Sequence, residues 1–589
     1  MGSKPLAGGV LSINGNWEKT RTGEVARLGE IGRRRFIALS GASAAALVFG
    51  AGPFAQGVEA RPRFSGYPFT LGVASGDPQP DGAVIWTRLA PKPLAEDGRG
   101  GMGRRAVRVR WEVASDERFR RVVRKGETGA RPELGHSVHV EVGGLRPDRE
   151  YYYRFQAGTE TSPIGRTKTL PGPASPTAEM TFAFASCQQY EHGFFTAYRR
   201  MSEEDLDLVV HLGDYIYEYG PNEYRAPGGN VRLHKGPEIA TLNDYRVRHA
   251  QYRTDKDLQA AHRAFPFVVT WDDHEVENNY ADEIPEEGNS PEAFLRRRAA
   301  AYQAYYEHMP LRRSSVPEGP NMRIYRRLTY GNLAEFNVLD TRQYRDDQPN
   351  GDDFNSAPSE ESRDPNRTIT GDAQERWLLE GLAASDARWN VLAQQVFFSQ
   401  VDFDFDEGVG INPDAWDGYA GQRDRFVDHF RQRGVSNPIV LTGDVHANWA
   451  SEILDDFDNP DSSVVGAEFV ATSITSGGDG SDARSDTAET LAENPHIKFF
   501  NNQRGYVRCT LTPETWRTDY RVVPFVSQPG SRVFTRASFV VEGGNPGIRQ
   551  VADNGVPVAQ RVALATEADR ITLQKKADGR SGYSGGLRK

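Results

Sequence analysis

The feature that most constrains the fold is the alternation of short apolar runs with longer helical patterns after residue 176. Alternation of this kind favours a layered α/β domain, in which functional sites lie at the carboxyl ends of strands. The predicted strands are Thr181–Ala185, Leu206–His211, Phe267–Thr270, Ala334–Leu339, Asn390–Ala393 and Ile439–Thr442, and the predicted helices include Pro291–Glu307 and Asp372–Ala384.

A different pattern precedes this region. From Arg61 to about Ser175, short alternating segments such as Val107–Val113 are separated by Gly, Pro and Asp turns. This spacing predicts an antiparallel β-sandwich of roughly 100 residues. The run Leu145–Phe155 resembles the tyrosine-corner strand of fibronectin-type-III modules, and the proline-rich segment 171–176 is typical of a stiff linker.

We therefore divide the chain into four predicted regions. They are an N-terminal extension with an export signal (1–60), a β-sandwich domain (61–175), a catalytic α/β domain (176–525) and a C-terminal extension with a mobile end (526–589).

The first region predicts export. Arg33-Arg34-Arg35-Phe36 precedes an Ala- and Gly-rich apolar stretch from Ile37 to about Gly52, and Ala60 is the expected cleavage position. This is the layout of a twin-arginine signal, so the twin-arginine export machinery is the predicted partner and the mature protein is predicted to be periplasmic or secreted. The alternative is a basic cluster beside an Ala-rich helix. No later stretch is apolar enough to span a bilayer, which needs roughly 20 residues, so we expect no stable membrane anchor after cleavage.

Composition excludes two classes of protein. The 589 residues carry 71 basic and 81 acidic side chains, a net charge of −10 with pI ≈ 5.8, which argues against a nucleic-acid scaffold. Two cysteines in such a long chain exclude a disulfide framework.

Four stretches share one layout, in which an apolar run is followed at once by side chains able to bind a metal. Alone, a Gly-Asp after a strand is usually a turn, and a single Cys is usually a buried small apolar residue. Four such stretches at strand ends predict one shared site. They are Ala185-Ser186-Cys187, Leu212–Tyr217, Trp271–Glu275 and Leu441–His446.

These motifs carry a family resemblance over roughly residues 66–525. Gly213-Asp214-x-x-Tyr217, Asp273-His274-Glu275 and Gly443-Asp444-x-His446 resemble the blocks of the calcineurin-like metallophosphoesterases. Together with Ala185-Ser186-Cys187 and Trp271–Asn279, the set resembles the PhoD-type alkaline phosphatases. The resemblance implies a four-layer metallophosphoesterase β-sandwich flanked by helices, after the fibronectin-type-III-like antiparallel β-sandwich.

The resemblance also implies two metals that share Asp214. Cys187, Tyr217 and His446 complete a first site, whose thiolate and phenolate suit Fe(III). Asp273, Gln394 and Asp444 supply a second, oxygen-only site, which favours a hard cation such as Ca(II). At these three positions the purple acid phosphatases have Asn, His and His. Gln395 is an alternative to Gln394, and Asp272 and Asn279 are further oxygen candidates.

Two side chains are predicted to act on the substrate. His274 resembles the outer histidine that binds phosphate or protonates the leaving oxygen, the alternative being a structural core histidine. Arg246 is a candidate for gripping a phosphate oxygen, the alternative being an exposed helical arginine paired with Glu or Asp.

The resulting hypothesis is an exported metal-dependent phosphatase that hydrolyses phosphate monoesters, and some diesters, with a metal-bound hydroxide. Its substrate is a phosphate ester. A phospholipase D-type phosphodiesterase is the enzymatic alternative, and a non-catalytic secreted binding protein is the third possibility.

Overall fold

The structure is a computed structural model that describes residues 62–286, 288–405 and 408–555. The predicted export signal lies outside the described residues. Of the predicted C-terminal extension, residues 526–555 are described, and its predicted mobile end is not.

The described ranges contain twenty-two strands and seven α-helices. The strands are β1 (Val73–Gln79), β2 (Gly82–Arg88), β3 (Val107–Ala114), β4 (Val122–Ala130), β5 (Ser137–Val142), β6 (Glu150–Ala157), β7 (Glu160–Thr161), β8 (Gly165–Lys168), β9 (Met180–Ala185), β10 (Leu208–Leu212), β11 (Pro266–Thr270), β12 (Arg326–Tyr330), β13 (Ala334–Val338), β14 (Trp389–Ala393), β15 (Pro438–Thr442), β16 (Asn448–Leu454), β17 (Val464–Val470), β18 (Gly480–Ser481), β19 (Ile497–Leu511), β20 (Thr515–Val523), β21 (Phe534–Glu542) and β22 (Asn545–Asp553). The helices are α1 (Thr196–Met201), α2 (Leu242–Arg253), α3 (Lys256–Ala264), α4 (Pro291–His308), α5 (Gly371–Ala384), α6 (Ala420–Arg433) and α7 (Thr487–Glu493).

Two mixed sheets form the centre of the catalytic region. The first has the order β22-β21-β20-β19-β9-β10-β11-β1-β2-β5, with β9, β10, β11 and β1 parallel to one another. The second has the order β12-β13-β14-β15-β17-β16-β19, with β13, β14, β15 and β17 parallel. The 15-residue strand β19 joins the two, because its first residues pair with β16 and its later residues with β9 and β20.

Three apolar cores hold four layers together. One core lies between the two sheets and contains Phe182 and Leu441. A second packs the other face of the first sheet against α1–α4, and a third packs the second sheet against α5 and α6. Strands β9, β10, β11, β14 and β15 are buried throughout or nearly so, as expected for parallel strands covered on both faces. The predicted four-layer arrangement is confirmed.

The predicted N-terminal β-sandwich is also present. One of its layers is β4-β3-β6 with β7 and β8 on β6, and the other is β1-β2-β5. Its core includes Ile85, Val109 and Phe155. The Tyr151 hydroxyl accepts a hydrogen bond from the Arg146 backbone N–H over 2.9 Å, which is the predicted tyrosine corner. Because β1 pairs with β11, one sheet contains strands from both sides of the predicted boundary at residue 175. The four region boundaries remain predictions.

Each strand and helix named from the sequence after residue 176 is present, with ends that differ by at most two residues. Helix α4 begins as expected for its sequence, since Ser290 caps it and Pro291 occupies its first turn. Among the residues the structure describes, no helix combines the length and apolarity needed to cross a bilayer.

Candidate metal centre

The four predicted stretches meet at one edge of the two sheets. Strands β9, β10 and β11 are parallel neighbours, so the loops after Ala185, Leu212 and Thr270 leave the first sheet side by side. The fourth loop follows β15 of the second sheet. The backbone N–H of Cys187 donates to the carbonyl of Gly213 over 3.1 Å, which ties the first two loops together.

Gly213 is required where the second and third loops cross. Its φ is +108°, and a Cβ there would lie 2.5 Å from the Cβ of Asp272. Only glycine allows this backbone conformation and this approach together. The close contact brings Asp214 next to Asp272 and Asp273.

Three groups of possible metal ligands share Asp214. They are Cys187, Asp214 and His446; Asp214, Asp273 and His274; and Asp214, Asp272 and Asp444. Within each group the candidate ligand atoms lie within 4.8 Å of one another. Asp214 is therefore the residue that the three groups have in common, and its carboxylate offers two oxygens.

Tyr217 adjoins the first of these groups. Its hydroxyl lies 2.8 Å from Oδ2 of Asp214 and 3.2 Å from Nε2 of His446, and the side chain is fully buried. The predicted first-site residues Cys187, Asp214, Tyr217 and His446 are thus brought together.

Four of the candidate ligands have left-handed backbone conformations. The φ angles are +57° at Cys187, +55° at Asp214, +59° at Asp444 and +54° at His446. Such angles cost of order 1 kcal/mol or more for residues other than glycine, and they persist where the surrounding structure enforces them. Their occurrence at four ligand positions indicates a site whose geometry is held by the fold.

The electrostatics of the centre fit bound cations. Within the described ranges, the buried Oδ1 of Asp214, Oδ2 of Asp272 and Oδ1 of Asp273 accept no hydrogen bond, although Nη2 of Arg342 lies 3.7 Å from Oδ1 of Asp273. Burial, reinforced by neighbouring carboxylates, raises the pKa of the Cys187 thiol well above its ordinary value. Buried anionic oxygens without partners are costly unless a cation balances them.

Burial also shifts the pKa values of the other candidate ligands. Burial raises the pKa of Asp214, Tyr217 and Asp444 well above their ordinary values. Burial lowers the pKa of His446 well below its ordinary value, so the imidazole is neutral, as a metal ligand must be. The residues present therefore fit a metal centre.

Glu275 holds the ligand loops. Its carboxylate accepts hydrogen bonds from the backbone N–H groups of Asp214, Tyr215 and Asp272 over 3.1, 2.5 and 2.9 Å. It therefore positions ligands and is not one of them.

His274 lies on the rim of the centre and is held by Glu218. Nδ1 of His274 is 2.8 Å from Oε2 of Glu218, which leaves Nε2 available. The ring packs against Tyr217 with 4.2 Å between centroids. Although burial opposes it, the carboxylates of Glu218, Asp273 and Asp214 hold the pKa of His274 well above its ordinary value, so the ring is protonated.

A buried arginine lies beside the oxygen ligands. Nε of Arg342 donates to Asp272 over 2.5 Å, and its two terminal nitrogens bind Asp414 over 2.6 and 2.8 Å. Arg342 and His274 hold the pKa of Asp273 below its ordinary value despite burial, while burial raises the pKa of Asp272 to about 7.

The glycine-rich loop 473–480 covers the first site. The Ser476 hydroxyl donates to the Tyr217 hydroxyl over 2.7 Å, and the Ser476 backbone N–H donates to the Cys187 carbonyl over 3.3 Å. Arg504 donates to the carbonyls of His446 and Gly478, the second over 2.9 Å. The loop and Arg504 together therefore touch three first-site ligands.

Gln394 does not join the oxygen ligands, and this prediction is corrected. Its oxygen accepts from the Trp416 indole over 3.1 Å, and its nitrogen donates to the Val396 carbonyl and the Thr442 hydroxyl. Gln395 is likewise committed, to Thr341, Thr270 and Leu339. Both amides join neighbouring strand ends, where a buried polar group needs a partner.

Arg246 does not reach the centre either. It is buried, and its Nε and Nη2 bind the carboxylate of Glu307 over 2.6 and 2.5 Å. The ion-pair alternative is therefore the one observed, although the residue is not exposed. Arg248 donates instead to the carbonyl of Tyr217. Two residues correspond to about 200° around a helix, so Arg246 and Arg248 lie on opposite faces of α2.

Sequence reasoning missed several residues that support the site. Glu275 is part of the Asp273-His274-Glu275 motif but was given no role, and Glu218 directly follows Tyr217 of another motif. Arg342 follows β13 in the same strand-end layout as the candidate ligands, so all three could have been found. Ser476 lies in the glycine-rich loop 473–480, outside the recognised motifs. Arg504 lies inside a long strand and carries no local signal.

Comparison with known proteins agrees with the geometry. The family model for the PhoD-like phosphatase matches residues 182–520, and that for the PhoD-like phosphatase N-terminal domain matches residues 55–171. The chain belongs to the PhoD-like phosphatase family. Family membership makes it an enzyme of the phosphatase class, as the motifs predicted.

Two similar proteins span most of the chain. Alkaline phosphatase D of Bacillus subtilis (strain 168) is 60% identical over 520 residues, which are 88% of this chain and 88% of that protein. The solved structure described as "Structure of PhoD" superposes with a TM-score of 0.82 at 60% identity, covering 87% of this chain and all of that one. The similarity to PhoD-like phosphatases therefore includes both the β-sandwich and the catalytic region.

Proposed function

We propose that this protein hydrolyses phosphate monoesters, and some diesters, at the group of ligands around Asp214. The observation that carries the proposal is the convergence of three donor groups on one carboxylate, beside a histidine whose Nδ1 is held by Glu218. Cations held by these groups would supply positive charge for a phosphoryl group, and His274 would supply a proton to its leaving alcohol.

The two donor sets suit different cations. The thiol of Cys187, the phenol of Tyr217 and the imidazole of His446 suit Fe(III), and the carboxylates of Asp272, Asp273 and Asp444 suit Ca(II). Bound there, the two cations would neutralise phosphate charge and lower the pKa of an attacking water.

His274 then acts as the general acid. Its Nδ1 is engaged by Glu218, so the ring presents the Nε2 proton to the leaving oxygen. Tyr217 and Tyr219 flank the ring, with centroids 4.2 and 5.5 Å away, and limit its rotation. The burial of His274, of which 8% is exposed, keeps bulk water from the transferred proton.

The dependence on the leaving group tests this role. His274→Gln should lower kcat about 100-fold or more for alkyl phosphates, whose leaving alcohols need a proton. The loss should be much smaller for 4-nitrophenyl phosphate, whose leaving group departs as an anion. Equal losses for both esters would reject general-acid catalysis by His274.

The cysteines offer a matched test of the iron site. Cys187 and Cys509 are both free and fully buried, but Cys509 lies in β19 beside Thr518. Cys187→Ser should lose iron, measured by elemental analysis of the purified protein, whereas Cys509→Ser should retain it. Iron retained by both variants would exclude Cys187 as a ligand.

Calcium and substrate class are tested by activity. A calcium chelator should abolish hydrolysis while iron remains bound, and full turnover after chelation would reject calcium at the carboxylate site. Release of choline from phosphatidylcholine much faster than release of phosphate from 4-nitrophenyl phosphate would favour the phospholipase D-type alternative. No hydrolysis after metal addition would favour a binding protein.

We also propose export by the twin-arginine pathway, on the motif at Arg33–Phe36. Replacing Arg33, Arg34 and Arg35 together by lysine should leave the precursor in the cytoplasm, whereas Arg27→Lys should not change export. Normal export of the triple variant would reject this route.

A further inference from the structure

The basic side chains of the N-terminal β-sandwich are concentrated on one hairpin. Residues 62–175 contain nineteen basic and thirteen acidic residues, although the whole chain has a net charge of −10. Residues 104–131 hold ten of the basic and only four of the acidic residues. The remainder of 62–175 is balanced, with nine of each, so the entire positive excess belongs to this segment, which we call the basic hairpin.

The basic hairpin is at an edge of the molecule's small sheet. It contains β3 and β4 with the turn between them, and residues 104–106 and 131 flank these strands. Strand β4 is the edge strand beside β3. Eight residues of β3 extend over about 26 Å. Arg108, Arg110 and Glu112 alternate with inward-facing residues along β3, so they share the outer face with Lys125 and Glu127 of β4.

Most acidic groups of the hairpin are already engaged. Glu127 pairs with Arg108 and Arg110 over 3.5 and 3.0 Å, and Glu112 pairs with Arg154 of β6 over 2.7 Å. Asp116 accepts hydrogen bonds from the backbone N–H groups of Arg120 and Arg121 in the turn. Only Glu117 has no such partner among the described contacts.

Several basic side chains of the hairpin face solvent without a counter-charge. Within residues 62–286, 288–405 and 408–555, no ion pair within 4.0 Å involves the following exposed residues: Arg104, Arg105, Arg118, Arg120, Arg121 and Lys125. Five of these six are arginines. The planar guanidinium binds phosphate, sulfate and carboxylate oxygens in pairs, which the lysine ammonium does not.

We propose that the basic hairpin binds a linear polyanion, at a surface formed by β3, β4 and their turn. The unpaired cations lie before β3, in the turn and on β4, so an extended chain of anionic groups is able to contact several of them, each cation neutralising one anionic group. A bilayer-binding surface would add large apolar side chains for insertion. Val122 is the one exposed large apolar side chain among residues 104–131. The proposal does not depend on the proposed function.

Binding of labelled heparin to the intact protein tests the proposal. Heparin carries sulfate and carboxylate groups and no phosphate ester, so turnover does not interfere. Arg118→Gln, Arg120→Gln and Arg121→Gln together should weaken binding about tenfold at low salt. The slope of log K against log salt should fall by about two. Neutral dextran should not bind.

The matched control removes three charges elsewhere. Arg296, Arg376 and Arg433 are exposed, and no ion pair or hydrogen bond of theirs is seen within the described ranges. Their replacement by Gln should change heparin affinity by less than about twofold. Both triple variants should keep the thermal unfolding midpoint and the 4-nitrophenyl phosphate turnover of the parent.

Three outcomes would overturn the proposal. They are no binding of heparin by the parent, an equal loss of affinity in the two triple variants, and tighter hairpin-dependent binding to phosphatidylglycerol vesicles than to heparin. The third would make the hairpin a membrane-binding surface.

Discussion

The Ser476 hydroxyl donates a hydrogen bond to the Tyr217 hydroxyl over 2.7 Å, across 259 residues of sequence. If Tyr217 binds iron as proposed, the protein should show a visible tyrosinate-to-iron absorption band, which Tyr217→Phe should remove. A hydrogen bond to the phenolate oxygen stabilises its electrons, so the contact with Ser476 raises the energy of this electron transfer to iron.

Ser476→Ala should move that band to longer wavelength, because the phenolate loses its donor. Ser481→Ala is the control, since its hydroxyl donates to the Ala483 carbonyl and touches no candidate ligand. An unchanged absorption maximum in Ser476→Ala would contradict the contact, and an unchanged spectrum in Tyr217→Phe would exclude that ligand.

Glu218→Gln should lower kcat for alkyl phosphates while KM changes little. The amide replaces the charged partner of His274 Nδ1, so the ring is less firmly held and less readily protonated. Steady-state kinetics with an alkyl phosphate and with 4-nitrophenyl phosphate should show the larger loss for the alkyl ester. A rise in KM alone would mean that Glu218 serves substrate binding.

Arg504→Met should destabilise the metal-free protein. The guanidinium is buried and binds the carbonyls of His446 and Gly478, which would lose their donor. Unsatisfied buried carbonyls lower the free energy of unfolding by about 2–4 kcal/mol. Denaturant unfolding should show this loss in Arg504→Met and almost none in Arg433→Met at an exposed position. Equal stability of the two variants would contradict the role of Arg504.

Histidine burial should make the protein sensitive to acid. All twelve histidines lie in the described ranges, and burial lowers the pKa of every one except His274. The pKa falls to about 4 at His139, His192 and His496. These histidines therefore bind more protons in the unfolded chain than in the folded protein below pH 6.5.

The stability contribution of these histidines is complete above pH 6.5 and is lost as the pH falls towards 4. A shift from 6.5 to about 4 corresponds to about 3 kcal/mol for each group. Denaturant unfolding of metal-free protein between pH 8 and pH 5 should show a smaller loss of stability towards acid in His496→Gln than in the parent. An identical pH dependence of the two proteins would contradict the burial argument. His274 has the opposite sign, because its pKa is raised.

The pattern of apolar and polar residues along the sequence was sufficient to predict the strands, the helices and the positions of the loops that carry the candidate ligands. Buried strands such as β10 are apolar along their whole length, and the residues that follow each strand are adjacent in sequence, so both are visible without a fold. Arg246 and Gln394 show where this reasoning ends. Each has a suitable side chain at a plausible position, but Arg246 binds Glu307 and Gln394 binds Trp416, and both partners are distant in sequence.

The sequence alone determined the layered α/β architecture, the β-sandwich before it and most residues of the candidate metal centre, because apolar periodicity and strand-end motifs are properties of neighbouring residues. Only the tertiary structure decided that Asp214 is shared by three groups of possible ligands, that Arg248 contacts the Tyr217 carbonyl whereas Arg246 pairs with Glu307, and that loop 473–480 covers Tyr217. Those relationships depend on strand order and helix rotation, which bring together residues that are far apart along the chain.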